Sequence, residues 1–174
     1  KYVIMGTHGH KALISFDKPT VFWWESPSGK KTLTYRAEHY NYGNFLQVEK
    51  DNFEEFEKRM LNYLNELEIK NYPHDIVSVQ YSGYFTDNSP PSTAGSDMIR
   101  KWNEKYAYPQ LRMAVASEFM QVVEEKYGKE LATYRAAWPD WWTDGFGSAA
   151  REAAFARYAQ ADIISNQISL SLAK

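Results

Sequence analysis

Short stretches of apolar residues, separated by polar turns, run through the first part of the chain and are typical of β-strands. Residues 2–5 form an apolar run that ends at Gly6, and residues 20–25 are rich in β-branched and aromatic side chains. Residues 26–29, Ser-Pro-Ser-Gly, have the composition of a turn, and residues 31–36 then alternate between apolar and polar side chains. The pattern predicts one strand followed by a β-hairpin.

Apolar residues recur at helical spacing in three later stretches. The first predicted helix begins after Asp51, a residue type that caps helices well. Two more helices are predicted over 97–105 and 117–127, and the apolar stretches before them, 75–81 and 111–115, have the composition of strands. Strands that alternate with helices predict an α/β layer with parallel strand pairing.

The character of the sequence changes after residue 131. An irregular stretch rich in tryptophan, 138–145, precedes an alanine-rich helix that is predicted from about Ser148. Alanine gives this helix a thin side-chain layer that suits close packing on another helix, yet no partner helix follows in the sequence. We therefore expect a piece of a longer polypeptide, and we expect the lack of a signal peptide to leave the compartment open.

Composition removes several classes of protein. The 174 residues carry a net charge of −2 with dispersed basic residues, so nucleic-acid binding is not expected. The chain has no cysteine, which excludes disulfides and cysteine nucleophiles. No apolar run approaches the roughly 20 residues that span a bilayer, so no membrane partner is expected.

Aromatic residues make up 16% of the chain, and many lie beside proline, glycine, aspartate and asparagine. Aromatic faces in polar loops can stack on the C–H faces of sugars, which would make carbohydrate the ligand. The alternative is an aromatic core with tyrosine hydroxyls at its edge. The residues predicted to line a sugar site are Trp23, Trp24, Tyr84, Trp141 and Trp142.

The strongest candidate for chemistry is Asp87, in the loop that follows the predicted strand over 75–81. Functional loops of α/β proteins follow the carboxyl ends of strands. An aspartate among aromatic residues has its pKa raised by desolvation, which suits a general acid. The alternative is that 87–90 form a simple Asx turn. His8 and His10 could bind a metal ion, but no third ligand lies near them in sequence.

Four segments, in the order of the chain, carry a family resemblance. Residues 22–29 are similar to a hairpin of the pattern aromatic-Trp-Glu-Gly-Pro-Asp-Gly, and 83–88 to a Gly-Tyr-Gly-Asp-Gly segment that holds an acid/base carboxylate. Residues 111–119 match the next strand and helix start, and 134–153 match the passage into a helical bundle. Together these segments resemble glycoside hydrolase family 38, the α-mannosidase family.

The resemblance implies an α/β fold, with part of an irregular seven-stranded β/α barrel over 1–130 and the start of a three-helix bundle over 131–174. It implies a retaining glycosidase with a carboxylate nucleophile, an acid/base and a divalent metal, typically zinc. Asp87 matches the acid/base, although the family's surrounding glycines are replaced by Thr86, Asn88 and Ser89. The nucleophile and the metal-binding His-x-Asp belong to an earlier segment without a counterpart here. This chain alone is therefore expected to bind no metal and to be inactive.

Two interpretations stay open. In the first, the chain is a fragment of an enzyme that acts on α-mannosides or related α-glycans. In the second, it is a non-catalytic carbohydrate-binding or structural domain. A metal-dependent deacetylase would need Asp and His ligands that the sequence does not offer. A partial barrel would expose its edges, so self-association is a further hypothesis.

Overall fold

The computed structural model describes residues 1–7, 16–84, 88–137 and 147–173. Within them, four strands form a mixed sheet in the order β1-β3-β2-β4. β1 runs parallel to β3, β2 is antiparallel to β3, and β4 is parallel to β2. The predicted first strand and hairpin are confirmed. The strands are β1, Tyr2–Met5; β2, Thr20–Glu25; β3, Lys31–Arg36; and β4, Thr133–Tyr134.

The helices confirm the mixed α/β class, while the seven-stranded barrel and the three-helix bundle stay predictions. The first long helix begins one residue later than the sequence predicts, because Asn52 and not Asp51 accepts a hydrogen bond from the backbone N–H of Glu55. In the described part of the chain the helices are α1, Tyr42–Phe45; α2, Phe53–Ile69; α3, Ala94–Lys105; α4, Ala116–Tyr127; and α5, Ala150–Leu172.

The two strands predicted over 75–81 and 111–115 are wrong, since neither stretch joins the sheet. The first keeps the side-chain alternation of a strand, but alternation reports which faces pack and does not require a paired neighbour. In the second, the side chain of Asn103 satisfies the backbone of Leu111 through hydrogen bonds of 2.9 and 2.8 Å.

Two apolar clusters hold these elements together. The sheet packs on α4 through a cluster that includes Leu33, Tyr35, Phe119, Met120 and Val123. A second cluster joins α2 to α3 and includes Phe56, Met60, Met98 and Trp102. Each such buried side chain contributes about 1.5–3 kcal/mol.

Side chains from residues 75–81 pack against both clusters. Ile76 packs against the sheet cluster, while Val77, Val79 and Tyr81 pack against the helix cluster. The hydroxyl of Tyr35 also donates to the carbonyl of Ser78 at 2.9 Å. This segment therefore links the sheet to the helical layer and sets where the loop that follows it emerges.

The chain divides into two compact units, Lys1–Ala137 and Trp138–Lys174. The first contains the sheet and α1 to α4. The described part of the second is dominated by α5, none of whose residues is buried. The predicted boundary after residue 130 stays a prediction, although β4 places 133–134 in the sheet. No helix in the described ranges has the length and apolarity that crossing a membrane requires.

Candidate functional site

The sheet has two ends with different surroundings. Met5 and Arg36 pair where the parallel strands β1 and β3 both finish, and we call this the carboxyl end. Glu25 and Lys31 pair at the opposite side, where the hairpin turns, and we call this the hairpin end. In α/β folds, ligands bind outside the carboxyl ends of parallel strands.

At the carboxyl end, the segments that leave β1 and β3 contact each other. The hydroxyl of Thr7 donates to the carbonyl of Glu38 at 2.6 Å, and the backbone of Gly6 lies so close to Tyr40 that a side chain on Gly6 would clash. The chain then continues into the short helix α1. Asn44, a buried residue of α1, forms hydrogen bonds with the loop that begins at Ser82 and holds that loop at this end of the sheet.

Asn44 holds that loop through both polar atoms of its side-chain amide. Its Oδ1 accepts from the backbone N–H of Ser82 at 3.2 Å, and its Nδ2 donates to the carbonyl of Gly83 at 3.1 Å. We call this pair of bonds the Asn44 clamp. The backbone N–H of Gly43 adds a bond of 2.8 Å to the carbonyl of Gln80. Three hydrogen bonds thus fix the start of the loop against the segment that continues from β3.

Gly83 and Pro90 close the base of the same loop. The backbone N–H of Tyr84 donates to the carbonyl of Pro90 at 3.0 Å. Gly83 has a φ of +85°, and a Cβ there would lie 2.7 Å from the Pro90 carbonyl oxygen. Only glycine satisfies both the positive φ and the close approach. Residues 84 and 90 are therefore held together as the two sides of a stem.

Asp87 belongs to this loop, but residues 85–87 lie outside the described residues, so its predicted role is untested. The same holds for Trp141, Trp142, His8 and His10. Tyr84 is described, and 61% of its surface is exposed. It forms part of an open groove of about 660 Å³, which we call the Tyr84 groove. The groove is lined by Asp51, Tyr84, Pro91, Ser92, Thr93, Ala94, Asp97, Met98, Arg100 and Lys101.

The structure does not bring Trp23 and Trp24 together with Tyr84. Both tryptophans lie toward the hairpin end, where Trp24 pairs with Thr32 of β3. Their indole N–H groups donate to backbone carbonyls, Trp23 to Gly128 at 2.8 Å and Trp24 to Ala136 at 2.9 Å. These bonds fasten the chain around β4 to the hairpin. Trp24 also lines an open groove there that shares no residue with the Tyr84 groove.

Glu25, which follows the two tryptophans, has an electrostatic role at the hairpin end. Its carboxylate pairs with the guanidinium of Arg135, and Lys31 lies 3.7 Å from its other oxygen. Glu25 and Arg135 both line the groove beside Trp24. The described contacts at this end are therefore those of a structural junction between β2, β3 and β4.

A partly buried ion pair lies at the carboxyl end. The carboxylate of Glu38 is 3.7 Å from the guanidinium of Arg36, which also donates to the carbonyl of Phe16. Burial raises the pKa of Glu38 above its ordinary value, and the charge of Arg36 opposes that shift. Burial likewise raises the pKa of Tyr42 to about 12, and the charge of Glu38 adds to the effect. Glu38 is thus a carboxyl group that retains its proton to higher pH than an exposed glutamate.

The sequence predicts neither the Asn44 clamp nor the ion pair of Glu38 with Arg36. An asparagine in a polar-aromatic loop carries no local signal of what it will hold, since its partner lies 38 residues away in sequence. Glu38 had a weak signal, its position directly after a predicted strand.

In the described ranges, no group of three or more His, Asp or Glu side chains is placed to hold a metal ion. These residues therefore do not fit the divalent metal that the family resemblance implies, and we derive no chemical step through it.

The sheet, the α/β packing and the loop held at the carboxyl end are features of the α/β class of enzymes. A family model described as Glycosyl hydrolases family 38 N-terminal domain matches residues 1–137. The chain therefore belongs to glycoside hydrolase family 38, and the resemblance seen in the sequence is confirmed. Comparisons with curated proteins and with solved structures give no match.

Proposed function

We propose that this chain is part of a retaining glycoside hydrolase that acts on α-mannosides or related α-glycans, with Asp87 as its acid/base. The family match over residues 1–137 carries the proposal, because it covers the loop to which Asp87 belongs. The loop stem supports it: the Asn44 clamp and the Tyr84–Pro90 bond hold both sides of the segment that contains Asp87.

In a retaining mechanism, one carboxylate attacks the anomeric carbon while the acid protonates the departing glycosidic oxygen. The acid then removes a proton from the water that hydrolyses the glycosyl intermediate. Asp87 would donate its proton to the leaving oxygen in the first step and accept a proton from water in the second. The nucleophile and the divalent metal, zinc by family resemblance, would come from a segment other than this chain.

The test compares leaving groups in the complete enzyme that carries this chain. Asp87→Asn should abolish hydrolysis of mannobiose, whose leaving sugar needs a proton. It should spare the glycosylation step with α-mannosyl fluoride, because fluoride leaves without protonation. The measurement is the release of mannose from mannobiose, and the initial burst of fluoride from the second substrate.

Glu38→Gln is the matched control, since Glu38 is the other carboxyl group at the carboxyl end with a reason to hold a proton. It should retain hydrolysis of both substrates once the stability of the variant has been checked. Full activity of Asp87→Asn on mannobiose would overturn the assignment. If the wild-type enzyme bound mannobiose without cleaving it, the non-catalytic carbohydrate-binding domain would be the better description.

A further inference from the structure

We propose that the Tyr84 groove binds the leaving-group sugar, and that Tyr84 is the residue on which this sugar stacks. This inference rests on the proposed function, and it assigns a subsite and a substrate preference that the function alone does not give.

The position of the groove links it to the acid. Tyr84 lines it directly before the segment 85–87, and Pro91 to Ala94 line it shortly after that segment. The backbone bond from Tyr84 to Pro90 keeps these two walls together. Three residues of chain span at most about 11 Å, so the proposed acid follows within that backbone distance of Tyr84, which lines the groove. Since a general acid contacts the leaving-group oxygen, the leaving sugar belongs beside it.

The ring of Tyr84 gives the groove a stacking surface. Several large aromatic residues of this unit, such as Phe22, Phe56 and Trp102, are buried in cores. Tyr84 instead leaves 61% of its surface exposed. Its backbone N–H is bonded to the Pro90 carbonyl, which restrains the position of its backbone. An amphipathic aromatic side chain has only two torsions to order, so it costs little conformational entropy when a ligand stacks on it.

The charges of the groove favour a neutral ligand with many hydroxyl groups. Two carboxylates and two cations line it: the ammonium group of Lys101 lies 3.1 Å from Asp51, and Arg100 lies 3.6 Å from Asp97. These signs cancel, so the groove offers no excess charge to an anion. The pairs are exposed and therefore weak, so a sugar hydroxyl can replace one partner at little cost. A neutral hexose fits these groups better than a phosphorylated or sulfated sugar.

The first test measures binding by this chain itself. Mannobiose is titrated into the 174-residue protein labelled with ¹⁵N, and amide shifts are followed. Shifts should concentrate at Thr93, Asp97 and Lys101. Tyr84→Ala should weaken binding about tenfold, the upper range for one aromatic contact, whereas Tyr84→Phe should retain it. Tyr158→Ala, which removes another exposed tyrosine, from α5, should have no effect.

The second test measures hydrolysis by the complete enzyme. Tyr84→Ala should lower kcat/KM for mannobiose about tenfold and leave α-mannosyl fluoride unchanged, because fluoride does not occupy the groove. An equal loss on both substrates, or shifts elsewhere than the groove, would overturn the subsite. Asp87→Asn should keep the groove's affinity for mannobiose, so a failure of the proposed chemistry is distinguishable from a failure of the groove. Tighter binding of mannose 6-phosphate than of mannose would overturn the preference for neutral sugars.

Discussion

The carboxyl end and the hairpin end are both rich in aromatic residues, yet their aromatic residues do different work. At the hairpin end, the indole N–H groups of Trp23 and Trp24 are bonded to backbone carbonyls, and Glu25 is paired with Arg135. At the carboxyl end, Tyr84 stands exposed on a loop whose backbone is held from both sides. The first arrangement uses aromatic side chains to fasten strands, and the second presents one to solvent.

Aromatic residues next to turns are therefore an ambiguous signal of carbohydrate binding. Tryptophan in a hairpin can satisfy its polar atom within the protein, and its face then covers neighbouring strands. What separates a binding surface from a junction is whether the ring itself is left exposed, as it is at Tyr84. On that criterion the carboxyl end is the better candidate, which agrees with the general position of sites in α/β folds.

Insertion of the same methyl group at each end should have very different effects. Gly83 and Gly29 both have positive φ, +85° and +81°, but a Cβ at Gly83 would meet the Pro90 carbonyl at 2.7 Å, while nothing lies within 4 Å at Gly29. Gly83→Ala should therefore distort the loop stem and lower kcat/KM on mannobiose by about 100-fold, a loss that a misplacement of about 1 Å can cause.

Gly29→Ala is the control for that variant. It should cost only the strain of a left-handed residue, about 1–2 kcal/mol of unfolding free energy, and it should leave activity unchanged. The measurements are chemical denaturation and kinetics of both variants. Equal losses of activity would mean that the two ends contribute alike, which would contradict the comparison.

A smaller effect is expected from the Asn44 clamp. Asn44→Ala leaves the N–H of Ser82 and the carbonyl of Gly83 without their side-chain partner, which should cost about 1–3 kcal/mol in unfolding free energy. Activity on mannobiose should fall about tenfold, because the loop gains freedom but keeps its base at Pro90.

Asn41 provides the matched comparison for the clamp, since it is equally buried but its Oδ1 accepts no hydrogen bond among the described residues. Asn41→Ala should be the milder variant in both stability and activity. An Asn41→Ala variant as impaired as Asn44→Ala would show that general packing near α1, and not the clamp, positions the loop.

Much of the fold could be predicted because its signals are local. The turn residues 26–29 predict the hairpin, and the helical spacing of Phe56, Met60 and Leu67 predicts α2. The wrong strand at 75–81 has a physical reason: side-chain alternation is produced by two packing faces, and here the faces belong to two different cores. Neither β4 nor α1 is long enough to leave a periodic pattern.

The site was harder to predict because its parts meet only through long-range contacts. Tyr84 was predicted as a sugar ligand from its loop, and that role stays a prediction. The clamp from Asn44 and the distance between Tyr84 and the tryptophans depend on strand order and register, which local patterns do not encode. In particular, β2 runs antiparallel to β3. Trp24, near the carboxyl end of β2, therefore lies at the hairpin end of the sheet, away from the carboxyl ends of β1 and β3.

The smallest expected effect tests the hairpin end directly. Trp24→Phe keeps a ring but removes the indole N–H that donates to Ala136, an exposed bond whose loss should cost about 1 kcal/mol or less. Trp23→Phe should cost more, because its bond to Gly128 is partly buried. Neither variant should change the affinity for mannobiose measured by amide shifts, although the sequence alone predicts both residues as sugar ligands. A clear loss of affinity in Trp24→Phe, with unfolding free energy nearly unchanged, would place a sugar at the hairpin end and contradict its interpretation as a structural junction.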